Sequence, residues 1–142
     1  MKYILLVICL VACTDFNYTP SYFVMPELQV YVDNFYKEAA THNSFPRRDK
    51  LEVLIQDLTM YNALGLYWSQ NMTVAIDRKF FNDHSESYSL EMEAVVFHEL
   101  GHALLEREHS LKVWSLMNAY YCRSCYSRDT DRRQQYLDEL FL

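Results

Sequence analysis

Glycine occurs only twice in this 142-residue chain, and proline three times. So few residues suited to tight turns exclude a fold of many short hairpins. They place most of the chain in regular elements. Basic runs are also missing: nothing exceeds Arg47-Arg48, and the net charge is -6. Nucleic acid is therefore not an expected partner. No apolar run reaches the roughly 18 residues that a finished transmembrane helix needs. Internal repeats and low-complexity segments are absent. Cysteine is scarce, at 4, with a single CxxC pair, Cys122 and Cys125. One pair is half a structural zinc site, so a local disulfide is the expected state in an oxidising compartment.

What is present is ordinary for one globular domain. Hydrophobic residues make up 51% and charged residues 23%. Aromatics reach 15%, enough for a compact core. The chain opens MKYILLVICLVACTD, with Lys2 before an apolar stretch from Ile4 to Ala12. This has the form of an export signal, with a small residue just before Cys13. Val11-Ala12-Cys13 resembles a bacterial lipoprotein lipobox. That resemblance implies lipidation at Cys13 and a protein tethered to a membrane without spanning it. We expect a signal peptide at 1–12, a lipidated tether at 13–25 and one folded domain at 26–142. The expected location is the bacterial cell envelope, on the outer membrane rather than the inner.

Hydrophobic spacing gives the element order. Pro26–Thr41 reads as a helix, with Pro26 and Glu27 at its start and Leu28, Phe35 and Ala39 on one face. Leu51–Leu58 reads as a strand. Met60–Trp68, which carries Gly65, reads as a turn and a second strand, and Thr73–Asp77 as a third. Arg78–Ser87 reads as a polar loop. Ser87 or Ser89 caps a long helix from Leu90, with Glu91 and Glu93 near its positive end. Ser110–Tyr126 reads as irregular, and Asp131–Leu142 as a closing helix. The fold class is α+β.

The long helix contains HELGHALLEREH, His98 to His109, which holds three of the chain's 5 histidines. Four residues apart on a helix, His98 and His102 project from one face and reach a single ion. Zn2+ takes neutral imidazole well. Glu99 projects to the open side, where a carboxylate can take a proton from a metal-activated water. Two imidazoles are too few, because a catalytic zinc keeps three protein ligands and one open position. On a continuing helix His109 would sit about 10 Å beyond His102, from a rise of about 1.5 Å per residue. The helix must therefore end near Leu105–Arg107 and the chain must turn back. His109 is the first choice for third ligand; Glu108 and Glu106 are the alternatives. Gly101, between the two helical histidines, suits close packing against a loop below.

HELGHALLEREHS with a downstream SLMN resembles the metzincin clan of zinc metallopeptidases, whose pattern is HExxHxxGxxH followed by a Met-turn. The family glycine would fall at Leu105 and the third ligand at Glu108, so His109 is one residue late. HELGHALLEREH, SLMN and the closing YLDELF are also similar to small exported bacterial metallopeptidases carrying HELGHxLLxRxH and SIMN. The resemblance implies a metzincin-like domain: N-terminal helix, small twisted sheet, active-site helix, Met-turn and C-terminal helix. It implies His98, His102 and a third histidine as ligands, Glu99 as general base, and Met117 beneath the metal. It further implies a peptide or protein substrate laid along the strand before the active helix, within Gly65–Thr73. Some metzincins use a tyrosine shortly after the Met to stabilise the oxyanion; Tyr120 and Tyr121 lie three and four residues on. His42 and His84, on polar stretches, are expected to face solvent, and Arg107 to orient a carboxylate near the loop. The expected function is zinc-dependent peptide-bond hydrolysis. A zinc-stabilised lipoprotein that only binds a partner is the alternative.

Overall fold

The structure, a computed structural model, describes residues 22–120, 126 and 130–142. The signal segment, Cys13, Tyr121, Cys122 and Cys125 lie outside the described residues. Four strands form one mixed sheet: β1 (Phe23–Val24), β2 (Glu52–Gln56), β3 (Gly65–Trp68) and β4 (Thr73–Asp77). Their spatial order is β1-β2-β4-β3. β1 and β2 run parallel, as do β2 and β4, while β3 closes the edge antiparallel to β4. Four helices accompany the sheet among the described residues: α1 (Gln29–Thr41), α2 (Arg78–His84), α3 (Leu90–Leu105) and α4 (Thr130–Phe141). The fold is a small α+β domain. Among the described residues no helix is long and apolar enough to cross a membrane.

The sheet begins before the first helix. Phe23 N–H donates to the Leu51 carbonyl at 2.8 Å, and Met25 N–H to the Val53 carbonyl at 3.0 Å. Two residues are too few to show a period, so nothing in the sequence marks β1. A 3₁₀ turn at Pro26–Leu28 then leads into α1.

The stretch expected as a polar loop at Arg78–Ser87 is largely the helix α2. Its start is capped by Asp77, whose carboxylate accepts the Phe80 N–H at 3.0 Å. The same carboxylate accepts the Leu58 N–H at 2.9 Å, so one buried side chain fixes both a loop and a helix. Lys79 and Asp83 pair one turn apart at 2.7 Å. Only Phe80 of this helix is buried, which is why no apolar stripe announced it.

β4 is buried along its whole length, flanked by β2 and β3 and covered by α3. Helix α1 packs on α3. Leu28, Val32, Phe35, Val53, Val74, Ile76, Val96, Phe97 and Leu100 form the common core. Burial of each large side chain contributes about 1.5–3 kcal/mol. Near the start of α3, Glu93 is buried rather than set at the helix surface. It accepts from Tyr88, Tyr126 and Arg133, and Arg133 also reaches Glu38 on α1 at 3.1 Å. A buried carboxylate needs such partners, and here they tie α3 to α1 and α4.

Candidate metal centre

Helix α3 presents the motif. Ser89 caps its start, accepting the Met92 N–H at 3.3 Å. The helix ends at Leu105, and Glu106 takes a left-handed conformation with φ 54°. The Arg107 N–H then folds back to the Gly101 carbonyl at 3.1 Å. This is the reversal that bringing His109 to the helical pair demands. The glutamate occupies a conformation that glycine adopts more easily, at a cost of about 1–3 kcal/mol.

The turn brings the three histidines together. His98 Nε2 stands 3.2 Å from His109 Nε2 and 3.2 Å from His102 Nε2. One ring nitrogen from each residue lies within 4.8 Å of the others, forming a cluster that can hold a metal ion. The protonation pattern follows from the remaining nitrogens. His98 Nδ1–H donates to the Leu116 carbonyl at 2.5 Å, and His102 Nδ1–H to the Arg107 carbonyl at 2.6 Å. A carbonyl can only accept, so both protons sit on Nδ1 and the Nε2 lone pairs face inward. Lone pairs converging at this distance suit a shared cation. Around a tetrahedral zinc with bonds of about 2.0–2.1 Å, ligand nitrogens stand about 3.3 Å apart. The donor set, and the two 3.2 Å separations from His98 Nε2, are compatible with zinc.

In the metal-free protein, burial pulls His98 down to about 4, against the pull of its carbonyl partner. Burial also lowers His102. Both imidazoles are thus kept neutral, the form that binds metal. Glu99 shifts the other way: burial alone pushes its carboxyl up to about 8. It is 7% exposed, and among the described residues its side chain accepts no hydrogen bond.

Glu99 and all three histidines line one cleft of about 780 Å³. Its opposite wall is Asn62 through Tyr67, which includes most of the edge strand β3. Gly65 lies in the second strand expected within Met60–Trp68. It opens β3 opposite Ile76. A Cβ there would stand 2.7 Å from both Cγ and Oε1 of Glu99. Glycine at 65 therefore makes room for the carboxylate.

Met117 is fully buried, directly beneath α3: a Cβ on Gly101 would meet its Sδ at 2.5 Å. Gly101 thus allows the close packing expected of it. The carbonyl that orients His98 belongs to Leu116, one residue before this methionine. Arg107 does orient a carboxylate, that of Glu139 on α4, at 2.8 Å. Glu106 and Glu108 line the cleft but are exposed and stand outside the histidine cluster. Tyr120 is 95% exposed and is not among the cleft residues.

His42 and His84 are half-buried and hydrogen-bonded rather than turned fully to solvent. His42 Nε2 lies 2.9 Å from Asp138, and its ring stacks on Phe141. His84 Nδ1 bonds the Phe80 carbonyl at 2.8 Å, and its Nε2 is 3.3 Å from Glu91. Each histidine follows a helix turn whose carbonyl it reaches, a local contact that polar neighbours in the sequence concealed. The sequence also gave no sign of the Gly65–Glu99 approach, which joins residues far apart in the chain. Compared with known proteins, the chain matches no family model, no curated relative and no solved structure.

Proposed function

We propose that the chain is a zinc-dependent metallopeptidase of metzincin-like design. One observation carries the reading: three imidazole nitrogens share a cleft with a buried carboxylate that, among the described residues, accepts no hydrogen bond. His98, His102 and His109 would hold the ion. Bound zinc supplies a polarised scissile carbonyl and a water of pKa about 7. Glu99 takes the proton of the attacking water and returns it to the leaving amine.

Among the described residues β3 is an edge strand beside Glu99, and its outer side would offer an extended peptide a backbone partner along the cleft. The substrate class is therefore a peptide or an extended protein segment. We place the protein in the bacterial cell envelope, anchored through lipid at Cys13. The support is the sequence of Met1–Cys13 alone.

The test is cleavage of a peptide library by the zinc-loaded chain, beside Glu99→Gln. The wild type should cut, and the variant should keep its zinc while turnover falls about 10²–10⁴-fold. A zinc-loaded wild type that cuts nothing, and whose melting responds to zinc alone, would leave a binding module in place of an enzyme.

A further inference from the structure

We infer that Glu139, on α4, is a positioning residue for the three-histidine centre, acting through the two backbone carbonyls that orient His98 and His102. This rests on the metal reading of that cluster. Arg107 and Leu116 supply the carbonyls. They lie on different segments, one just after α3 and the other in the loop beneath it. Both segments are fastened to the same carboxylate.

The Arg107 guanidinium donates to Glu139 Oε1 at 2.8 Å, and to the carbonyls of Glu139 and Leu140 at 2.9 Å each. Ser115, fully buried, donates its hydroxyl to Glu139 Oε2 at 2.6 Å. The same hydroxyl accepts the Met117 N–H at 3.1 Å, so Ser115 braces the peptide that carries the Leu116 carbonyl. Lys112 Nζ adds a weaker contact to Oε1 at 3.5 Å. One oxygen of Glu139 thus serves the His102 side and the other serves the His98 side.

A carboxylate is suited to this task. It offers acceptors on both oxygens, and contacts with an ionised partner are about twice as strong as neutral ones. An amide keeps one acceptor oxygen and loses the charge, so it cannot hold both arms. The side chain is 15% exposed, which limits screening by water. The acceptors on the far nitrogens of metal-bound histidines set ring orientation and tautomer, and disturbing them costs metal affinity. Here those acceptors are backbone atoms, so their placement passes to whatever holds the backbone.

The experiment is zinc affinity of the full chain by chelator competition, with the visible spectrum of the cobalt-substituted protein as a second readout. Glu139→Gln should bind zinc about 10–100-fold more weakly and show a changed cobalt spectrum. Ser115→Ala, which removes one arm, should show a smaller loss of the same kind and serves if Glu139→Gln does not fold. Glu38→Gln is the control, because its carboxylate holds Arg133 away from the cluster. It should lower melting but leave zinc affinity and the cobalt spectrum unchanged. Zinc binding by Glu139→Gln within about twofold of wild type, with an unchanged spectrum, would overturn the proposal. A loss matched by Glu38→Gln would overturn it equally. No zinc on the wild-type chain would instead remove the metal reading, and this proposal with it.

Discussion

A Cβ on Gly101 would stand 2.5 Å from the Sδ of Met117 and 3.1 Å from Leu140. The helix that carries His98 and His102 therefore rests on the loop whose Leu116 carbonyl orients His98. Two opposing effects meet in Gly101→Ala. Alanine favours the helix by about 1 kcal/mol over glycine. Overpacking against a fully buried methionine costs about 1–3 kcal/mol. The second wins, and denaturant titration should show a net loss of about 1 kcal/mol. Combining it with Met117→Ala should cost less than the sum of the two single losses, because the added methyl partly fills the space that the methionine leaves. Strictly additive single and double variants would mean that the two residues do not press on each other.

Gly65→Ala should separate activity from metal. The new methyl would overlap the Glu99 side chain and leave the histidines untouched. We expect full zinc content and a fall in peptide cleavage of about 10–100-fold, the scale for a catalytic group displaced by about 1 Å. Zinc lost in step with activity would mean that the substitution disturbs the whole centre.

Glu99 makes the stability of the metal-free protein depend on pH. Burial raises its folded pKa to about 8. An unfolded glutamate titrates near 4.3, at about its reference value. The folded state holds the proton more tightly, so this contribution is complete below about 4.3 and is lost as pH rises toward about 8. His98 acts oppositely. Its folded pKa is depressed to about 4, so its contribution is lost as pH falls below about 6.5. The Glu99 effect is therefore best isolated above about 6.5. In chelator, wild-type melting should drop between about pH 6.5 and 8, and Glu99→Gln should drop less. Parallel curves would show that the carboxyl titrates as if exposed.

Much of the site was legible because its chemistry is local. His-Glu-x-x-His places two ligands and a base on one helix by spacing alone. The position of His109 demanded the chain reversal that occurs at Glu106. The strand at Thr73–Asp77 was equally plain, since a short β-branched run between polar residues leaves little choice. What escaped was held together by tertiary contact. Nothing in the sequence ties Gly65 to Glu99 until the fold packs the two together. β1 is too short for any pattern, and α2 buries one side chain and is built by its cap. Arg107 pointed to a carboxylate, but only the docking of α4 shows that it is Glu139 and that Ser115 shares it.

Zinc per chain decides between these residues and chance. It would be measured on the wild type, His109→Ala, Glu108→Ala and Glu106→Ala after reconstitution and dialysis. The three-histidine cluster predicts one zinc on the wild type and on both glutamate variants, and a loss with His109→Ala, since a catalytic zinc has only three protein ligands and two imidazoles are too few to hold it. Zinc retained by His109→Ala and lost with either glutamate would contradict the three-histidine centre. No zinc on any of the four would show that His98–His109 is a helix and turn that spell a motif without holding a metal.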